Sequence, residues 1–365
     1  MTIAVIGRGP IGSAAARHLA RAGHGVVLIG PGEPADKGTH KGVFASHWDE
    51  GRITRALDPD PFWSAVSRAS IARYAEIEAE SGIDFFTESG ALIVGPAGGE
   101  FMRNVAAVQA EAGIAAETLT GAALAARFPC FAFPEGIEAR YEPRGAGHVN
   151  PRSMVAAQTE SARRAGAEVM EATALRLETS GKHARVITDA GDVTANRVLV
   201  ANGGWANTLL PAPLPLAVYA RTIAFFAQAP DAGLGDMPTL VYRTPAGDVP
   251  YLLPPIRYPD GRLYVKIGGD PEDTRLETSE AVGEWFRSGG SAEVGDHLRR
   301  LIESLMPGLD TSAMHVEPCV TVFTPEDRPA IRRLGPRLAV AVAGCGRGAK
   351  CADELGRMAA EVVAG

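Results

Sequence analysis

The first 32 residues contain the stretch that decides the fold, TIAVIGRGPIGSAAARHLARAGHGVVLIGPG at positions 2–32. The apolar, partly β-branched run at 3–6 predicts a strand that is buried on both faces. From Ser13 onward, small and apolar residues recur at three- and four-residue spacing, which predicts a helix. The run VVLI at 26–29 predicts a second strand. The stretch therefore predicts a strand, a tight turn, a helix and a further strand in succession.

The turn between the first strand and the helix has the spacing GxGxxG. One glycine permits the tight turn, one lets the backbone approach a pyrophosphate, and one allows the helix to pack closely on the strand. The helix N-terminus adds unpaired N–H groups for the phosphates. Between a strand and a helix this spacing is typical of a dinucleotide site, whereas the alternative is a glycine-rich loop that only packs. The predicted contacts are Gly7, Gly9, Pro10, Ile11 and Gly12.

The end of the second strand is atypical for a dinucleotide site. That position should be Asp or Glu, because a carboxylate there accepts hydrogen bonds from the ribose. Here it is Gly30, and the nearest acid is Glu33. Either Glu33 reaches the ribose from the following loop, or other groups hold the ribose.

The composition is that of a soluble globular protein large enough for two domains, with 365 residues, of which 46% are hydrophobic and 22% charged. The net charge of −7 argues against nucleic acid as a partner, because phosphate binding favours a basic surface. No apolar run could span a bilayer, and the N-terminus has no basic leader, so we expect no membrane association and a cytoplasmic location. The four cysteines have no metal-binding spacing, which predicts no metal site.

Two later segments repeat the N-terminal pattern of a buried strand followed by a glycine turn. The runs 198–205 and 338–348 each read as a buried strand followed by a glycine turn, whereas 216–323 consists mostly of strands punctuated by proline and glycine. We therefore predict an α/β fold with two domains. A Rossmann-type FAD-binding domain is assembled from three segments, and a mainly antiparallel β-sheet substrate domain is inserted in two pieces: 1–82, 147–215 and 325–365 for the former, 83–146 and 216–324 for the latter. This interrupted layout favours FAD over NAD, because FAD spans both domains.

The segment SHWDEGRITR at 46–55 concentrates charged residues, including Arg52 and Arg55. On a helical turn, a spacing of three would place both arginines on one face. The segment is either the solvated start of a charged helix or a cationic site for an anionic substrate or the flavin.

Several segments together resemble the family of monomeric sarcosine oxidases and N-methyltryptophan oxidases, within the wider D-amino-acid-oxidase-like flavoproteins. The resemblance covers nearly the whole chain in order. It rests on the N-terminal fingerprint and on SHWDEGRITR, YLLP (251–254), VKIGGD (265–270), CVTVFTPEDRP (319–329) and AGCGRGAK (343–350). It implies an enzyme that uses FAD to oxidise a C–N bond of an amino acid.

The resemblance also implies how the cofactor is held. Cys319, with its Cys-x5-Pro spacing to Pro325, matches the family segment that carries FAD as an 8α-S-cysteinyl thioether; the alternative for this thiol is a small buried hydrophobe. Arg52 matches an arginine close to the flavin ring. The glycine loop before the last helix lets backbone approach the isoalloxazine, and the helix N-terminus after it favours negative charge on the reduced ring. The remaining predicted cofactor contacts are Ser46, Val169, Gly203, Trp205, Gly344, Gly346, Arg347, Gly348 and Lys350.

Four residues are predicted to be catalytic: Lys266, Arg52, Arg55 and Lys350. Arg55 and Lys350 match the family pair that holds the substrate carboxylate, for which an arginine fork and a lysine charge are suited. Lys266 matches a lysine near flavin N5 whose charge stabilises superoxide when oxygen is reduced. The alternative for Lys266 is an exposed position on an edge strand. No side chain stands out as a general base.

Three positions depart from the family pattern and concern the substrate pocket. Trp48 and Asp270 stand where sarcosine oxidases carry histidines, and Thr321 stands where they carry a tyrosine. We therefore expect a monomeric oxidase whose substrate is a secondary amine with a carboxylate, either an N-methyl amino acid or a cyclic imino acid, with molecular oxygen as the acceptor. The alternatives are a flavin-dependent amino acid dehydrogenase, a biosynthetic imine-forming oxidase of the same fold, and a flavin-binding protein that has lost catalysis.

Overall fold

The computed structural model describes residues 1–365. The strands are β1 Thr2–Ile6, β2 Gly25–Ile29, β3 Arg52–Thr54, β4 Phe86–Glu88, β5 Ala91–Pro96, β6 Glu117–Thr120, β7 Ile137–Glu142, β8 Gly147–Val149, β9 Glu168–Met170, β10 Ala174–Glu178, β11 Ala184–Thr188, β12 Val193–Ala195, β13 Arg197–Val200, β14 Ala217–Gln228, β15 Thr239–Tyr242, β16 Tyr251–Arg257, β17 Leu263–Gly268, β18 Thr274–Arg275, β19 Met314–Phe323, β20 Ala330–Arg333 and β21 Leu338–Val342. The α-helices are α1 Pro10–Arg21, α2 Pro61–Ile71, α3 Tyr74–Ser81, α4 Glu100–Ala112, α5 Gly121–Arg127, α6 Pro151–Arg164, α7 Ser279–Arg287, α8 Ala292–Leu305 and α9 Ala352–Ala364, and a 3₁₀ helix covers Gly203–Thr208. No helix is long and apolar enough to cross a membrane.

A six-stranded sheet forms the first layer system, with the order β20-β21-β13-β1-β2-β9. Its neighbouring strands are parallel except for the edge pair β20 and β21. Helices α1, α6 and α9 pack together and cover one face, and the small sheet β10-β11-β12 covers the other. Because both faces are covered, the central strands are apolar throughout, as in the run at 3–6. The strands come from three separated parts of the chain, as the sequence predicted.

A nine-stranded sheet forms the second layer system, with the order β18-β14-β17-β16-β15-β5-β7-β6 and with β19 paired to β14. Its pairs are antiparallel except for β5 and β15, which are parallel. Leu298, Ile302 and Leu305 of α8 pack on this sheet in the largest apolar cluster of the protein. The predicted combination of a Rossmann-type sheet with an inserted, mainly antiparallel sheet is confirmed.

Local structure differs from the sequence pattern in three places. The pattern predicts one helix over 62–81, but α2 ends at Ile71 and α3 begins at Tyr74. Ala72 and Arg73 separate the two helices, and the side chain of Arg73 forms ion pairs with Asp353 and Glu354. The pattern also predicts a short helix over 119–129, which the structure contains as α5, except that residues 119–120 belong to β6. Residues 52–54 form a strand, so the proposed helical turn at Arg52 and Arg55 is wrong.

A buried carboxylate, Asp353, joins the helices that cover the first sheet. It accepts hydrogen bonds from Arg17 of α1 at 3.4 Å, from Gln158 of α6 at 2.9 Å and from Arg73. His18 Nε2 lies 3.0 Å from the same carboxylate. Burial opposes ionisation, but the interactions with His18 and Arg73 outweigh it and hold the pKa of Asp353 below its ordinary value.

We expect Asp353→Asn to lower the free energy of unfolding by about 2–3 kcal/mol, because it removes the buried charge that pairs with Arg73 and His18, whereas the fully buried Arg17 keeps its ion pairs with Glu76 and Glu80. The depressed pKa makes this stabilisation complete above the unfolded pKa of about 4 and progressively lost below it, so wild type and variant should converge in acid. Urea denaturation from pH 7 down to pH 3 measures the difference. Exposed Asp231→Asn is the control, and overlapping curves for D353N and wild type at pH 7 would contradict the prediction.

Candidate functional site

A cavity of about 1200 Å³ opens at the carboxyl ends of β1, β2, β13 and β21 and is lined by residues of both large sheets. This is the edge at which parallel α/β sheets bind their ligands. Most predicted site residues lie in its wall: Gly7, Gly9, Pro10, Ile11, Ser46, Arg52, Arg55, Gly203, Trp205, Cys319, Gly344, Gly346, Arg347, Gly348 and Lys350. Gly12, Val169 and Lys266 lie outside the wall.

The glycine turn between β1 and α1 has the geometry that a diphosphate requires. Gly7 has φ +109°, and a Cβ there would lie 2.5 Å from the carbonyl oxygen of Ala201. A Cβ on Gly12 would collide with the carbonyl of Gly7, so only glycine fits at this position, which lies outside the cavity wall. The nearest atom to a Cβ on Gly9 would be His47 Nδ1 at 3.9 Å, so this glycine leaves space for a ligand. Gly9 also caps α1 without a side-chain hydrogen bond, which leaves N–H groups of the first turn available.

Steric crowding accounts for the missing acid at the end of β2. A Cβ on Gly30 would lie 2.7 Å from the backbone nitrogen of Arg8, so a side chain cannot fit there without a shift. Glu33 does not line the cavity but forms a bidentate ion pair with Arg152, with both N–O distances 2.7 Å. Of the two alternatives, the structure favours other groups as the contacts of the ribose. Val169 lies in β9, beside Leu28 of β2, and takes no part in the wall.

The loop between β21 and α9 contains three left-handed residues, Ala343, Cys345 and Gly346, with φ of 68°, 46° and 71°. Such strain in residues other than glycine is typical of functional sites. A Cβ on Gly344 would lie 2.5 Å from Gly348 Cα, so the loop folds back on itself through its glycines. The sequence pattern predicts the last helix over 349–363, but α9 begins at Ala352, so the backbone next to the cavity is the loop rather than the first turn of the helix.

Arg55 and Lys350, which lie 295 positions apart in the chain, meet at one buried carboxylate, Asp58. Its Oδ2 accepts hydrogen bonds from Arg55 Nη1 at 3.2 Å and from Lys350 Nζ at 2.8 Å. Arg347 Nε lies 3.5 Å from the same oxygen. Arg347 is also paired with Asp327, at 3.1 Å, so Arg55 and Lys350 are left to share the one charge of Asp58. Burial opposes ionisation of Asp58, but the charges of Lys350 and Arg55 outweigh it and hold its pKa below the ordinary value.

The loop that carries Arg55 and Asp58 is fixed from below by Glu142, whose carboxylate accepts hydrogen bonds from the backbone of Ala56 and Leu57 at 2.9 Å each. Arg55 Nε is shielded from solvent and has no hydrogen-bond partner, although the residue lines the cavity. An unpaired buried donor is costly unless a ligand satisfies it. The site therefore offers a free guanidinium N–H next to a lysine charge, which suits a carboxylate.

Cys319 lies on β19 in the cavity wall and is half-buried. Arg52 Nη2 approaches its sulfur at 3.5 Å. The backbone position is held by Trp285, whose indole N–H donates to the carbonyl of Cys319 at 2.8 Å. The thiol is thus accessible from the cavity rather than sealed in an apolar core.

Lys266 lies on β17, between β14 and β16, and has no exposed surface. The alternative of an exposed position on an edge strand is therefore wrong. Its ammonium donates hydrogen bonds to Asp49 and, at 2.7 Å, to the carbonyl of Gly51. Burial and the charge of Arg52 hold the pKa of Lys266 well below its ordinary value.

Two functional candidates, Asp49 and Asp58, escape a reading of the sequence alone. Asp49 pairs with both Lys266 and Arg52, and Asp58 pairs with both Arg55 and Lys350. Each follows the local pattern of an ordinary charged loop, and each has a partner that defines its role far along the chain. One signal in the sequence could have found them. Residues 46–60 are rich in charge but lack the helical or strand periodicity that would put these charges on a solvent-exposed face.

The comparisons agree with this geometry. A family model described as FAD dependent oxidoreductase matches residues 2–362. The monomeric sarcosine oxidase of Bacillus sp. (strain NS-129) is 26% identical over 99% of this chain and 92% of its own length. The N-methyl-L-tryptophan oxidase of Yersinia pestis (strain Pestoides F) is 26% identical over 98% of this chain and 93% of its own length.

Among solved structures, NikD, an unusual amino acid oxidase essential for nikkomycin biosynthesis, superimposes with a TM-score of 0.81 at 23% identity, over 99% of this chain and 93% of that chain. The resemblance drawn from the sequence motifs is confirmed in its family and in its fold. The glycine turn, the cavity that spans both sheets and the match over nearly the entire length all point to one conclusion, that this chain belongs to the family of FAD dependent oxidoreductases.

Proposed function

We propose that this enzyme oxidises the C–N bond of an amino acid that is a secondary amine, either an N-methyl amino acid or a cyclic imino acid, and produces an imine and hydrogen peroxide. The observation that carries the proposal is the convergence of Arg55 and Lys350 in the cavity wall, with the Arg55 Nε unpartnered. Both named relatives are oxidases, one of sarcosine and one of N-methyl-L-tryptophan. The substrate carboxylate would bind Arg55 and Lys350 and so fix the position of the amine.

When bound, FAD would accept the two electrons and the hydrogen of the C–H bond next to the nitrogen, as the C–N single bond becomes C=N. The turn at Gly7–Gly12 and the loop Gly344–Gly348 would hold its two ends, since both expose backbone to the cavity. Trp205 and Arg52 line the space between them. We propose Cys319 as the point of covalent attachment, because its sulfur is accessible from the cavity and lies beside a guanidinium.

Two further expectations from the sequence enter the proposal. The segments 1–82, 147–215 and 325–365 form the cofactor domain, and 83–146 with 216–324 form the substrate domain; this division assigns each large sheet to one domain. The enzyme is proposed to act as a monomer, as the resemblance to the monomeric sarcosine oxidases implies.

A peroxide assay in air over a panel of N-methyl amino acids, proline and pipecolate tests the proposal. Peroxide with any of these supports an oxidase. Flavin that bleaches anaerobically with a panel member but yields no peroxide in air indicates a dehydrogenase. Flavin that stays oxidised with every member contradicts the proposed substrate class.

We expect Cys319→Ser to abolish the covalent attachment of FAD, while the fold and the shape of the cavity wall are retained. Acid precipitation of wild type should give a yellow pellet, because the flavin remains bonded to the protein. Precipitation of C319S should give a yellow supernatant and a colourless pellet. Cys130→Ser, at a half-buried thiol outside the cavity wall, is the control. A colourless wild-type pellet would contradict attachment through any cysteine.

A further inference from the structure

An acidic side chain in the cavity wall, Asp270, has no role in the scheme above. It follows β17 through Gly269, whose φ of +133° is open only to glycine. A Cβ on Gly269 would lie 2.8 Å from Pro250 Cα, so the backbone here is tightly fixed. Asp270 Oδ2 accepts a hydrogen bond from the backbone N–H of Thr222 at 2.9 Å. Its Oδ1 is shielded from solvent and accepts no hydrogen bond.

The charged and titratable groups around Asp270 leave its charge unpaired. Arg221 on β14 is bound instead to Asp273, at 2.5 Å, and to the carbonyl of Ala220. Tyr251 on β16 and Cys319 on β19, opposite Arg221, complete the surroundings. No cation lies within salt-bridge distance of Asp270. Burial raises the pKa of Asp270, and the hydrogen bond from Thr222 and the charge of Arg221 oppose the rise only in part.

A carboxylate oxygen kept dry and unpaired is costly, so its retention needs a partner that the protein itself does not supply. The wall of the same cavity contains Arg55 and Lys350, two cations that share the single charge of Asp58. One wall group thus suits an anion and another suits a cation. This charge pattern is complementary to a zwitterion, that is, to an amino acid whose amine is protonated.

We infer that Asp270 binds the ammonium nitrogen of the substrate and removes its proton. In this step an N–H bond breaks, its electron pair stays on nitrogen, and the proton forms an O–H bond on Oδ1. The products are a neutral amine, which is the form that can be oxidised, and a neutral carboxylic acid. The inference rests on the proposed function and specifies its substrates as aliphatic amines that are protonated at neutral pH.

Binding of two non-oxidisable ligands tests the cation site without catalysis. Betaine and 3,3-dimethylbutanoate share a carboxylate and a three-methyl head, but betaine alone carries a fixed positive charge. By calorimetry on the holoenzyme, we expect wild type to bind betaine about 10-fold more tightly than 3,3-dimethylbutanoate, whose head group is uncharged. Asp270→Asn retains an acceptor for the Thr222 N–H and should abolish the preference. Glu272→Gln, an exposed acid in the same loop, should keep it.

Anaerobic flavin reduction tests the proton transfer. In D270N only substrate that is already neutral can react, so we expect a rate about 100-fold below wild type at pH 7 that rises about tenfold per pH unit towards the pKa of the amine. The wild-type profile should be flatter. Equal binding of the two ligands by wild type, or identical pH profiles for D270N and wild type, would overturn the role of Asp270.

Failure of this inference can be told apart from failure of the proposed function. Wild type that is reduced by panel amino acids but shows no preference for betaine would keep the oxidase and overturn the role of Asp270. Wild type that is not reduced by any panel member but shows an Asp270-dependent preference for betaine would overturn the oxidase and support the cation site. Wild type that is not reduced by any panel member and that binds neither ligand would overturn both.

Discussion

Replacing Lys350 by Met should weaken the binding of carboxylate ligands by about 100-fold, equivalent to about 3 kcal/mol, because removing one partner of a buried charged pair costs about 2–5 kcal/mol. Lys350 is 4% exposed, so solvent screens its charge little. Its hydrogen bond to Asp58 uses one of three ammonium donors, which leaves two for a ligand. Kd values from flavin spectral titration with a simple carboxylate, and KM with the best substrate of the panel, measure the effect.

The amine that corresponds to the best substrate but lacks its carboxylate separates two roles of Lys350. If Lys350 binds the carboxylate, K350M and wild type should oxidise this truncated amine at rates within about threefold, whereas the amino acid loses about 100-fold. Equal losses for both compounds would contradict carboxylate binding and would assign Lys350 to the cofactor instead. Exposed Lys182→Met is the matched control for the change of side chain.

The fold was accessible from the sequence because its decisive signals are local. The apolar run at 3–6, the glycine spacing and the run at 26–29 lie within 30 residues and specify a strand, turn and helix without reference to the rest of the chain. The boundary between α2 and α3 was not accessible, because the residue at the boundary, Arg73, has its ion-pair partners, Asp353 and Glu354, nearly 300 positions away. Helical periodicity continues through that break and therefore conceals it.

The site was accessible only in part, for the same reason. The pairing of Arg55 with Lys350 rested on the family resemblance, and the structure brings the two residues to one oxygen of Asp58. Asp58 itself, in the sequence Ala-Leu-Asp-Pro, has no local feature that separates it from a solvated loop residue. Asp270 could be recognised as a departure from the family pattern, but its unpartnered oxygen depends on how β14 and β17 are paired. Residues that act through long-range pairs need the fold before they can be assigned.

The second prediction with a large expected effect concerns Lys266, which forms a buried ion pair with Asp49. We expect Lys266→Met to slow the reaction of reduced flavin with oxygen by about 10²–10³-fold, because a fixed positive charge that stabilises developing negative charge contributes about 3–4 kcal/mol in a buried site. Anaerobic reduction by substrate should change less than about tenfold, since Lys266 does not line the cavity in which the substrate binds. Methionine has a similar length and suits the apolar cross-strand neighbours Phe225 and Leu253, so the strand should be retained.

Stopped-flow measurement of the two half-reactions in one variant decides the role of Lys266, because each serves as the internal control for the other. Equal slowing of both would indicate that the substitution disturbs the cofactor rather than oxygen. The buried counter-ion supplies the matched variant. Asp49→Asn keeps the lysine in place through the carbonyl of Gly51, and it removes the negative charge that partly cancels the ammonium. Because burial already lowers the pKa of Lys266, loss of this counter-ion lowers it further. If the charge of Lys266 is what oxygen requires, D49N should reoxidise slowly near neutral pH and recover towards wild type as the pH falls, whereas K266M should stay slow at every pH. A D49N rate that matches wild type at all pH values would contradict the role of the charge.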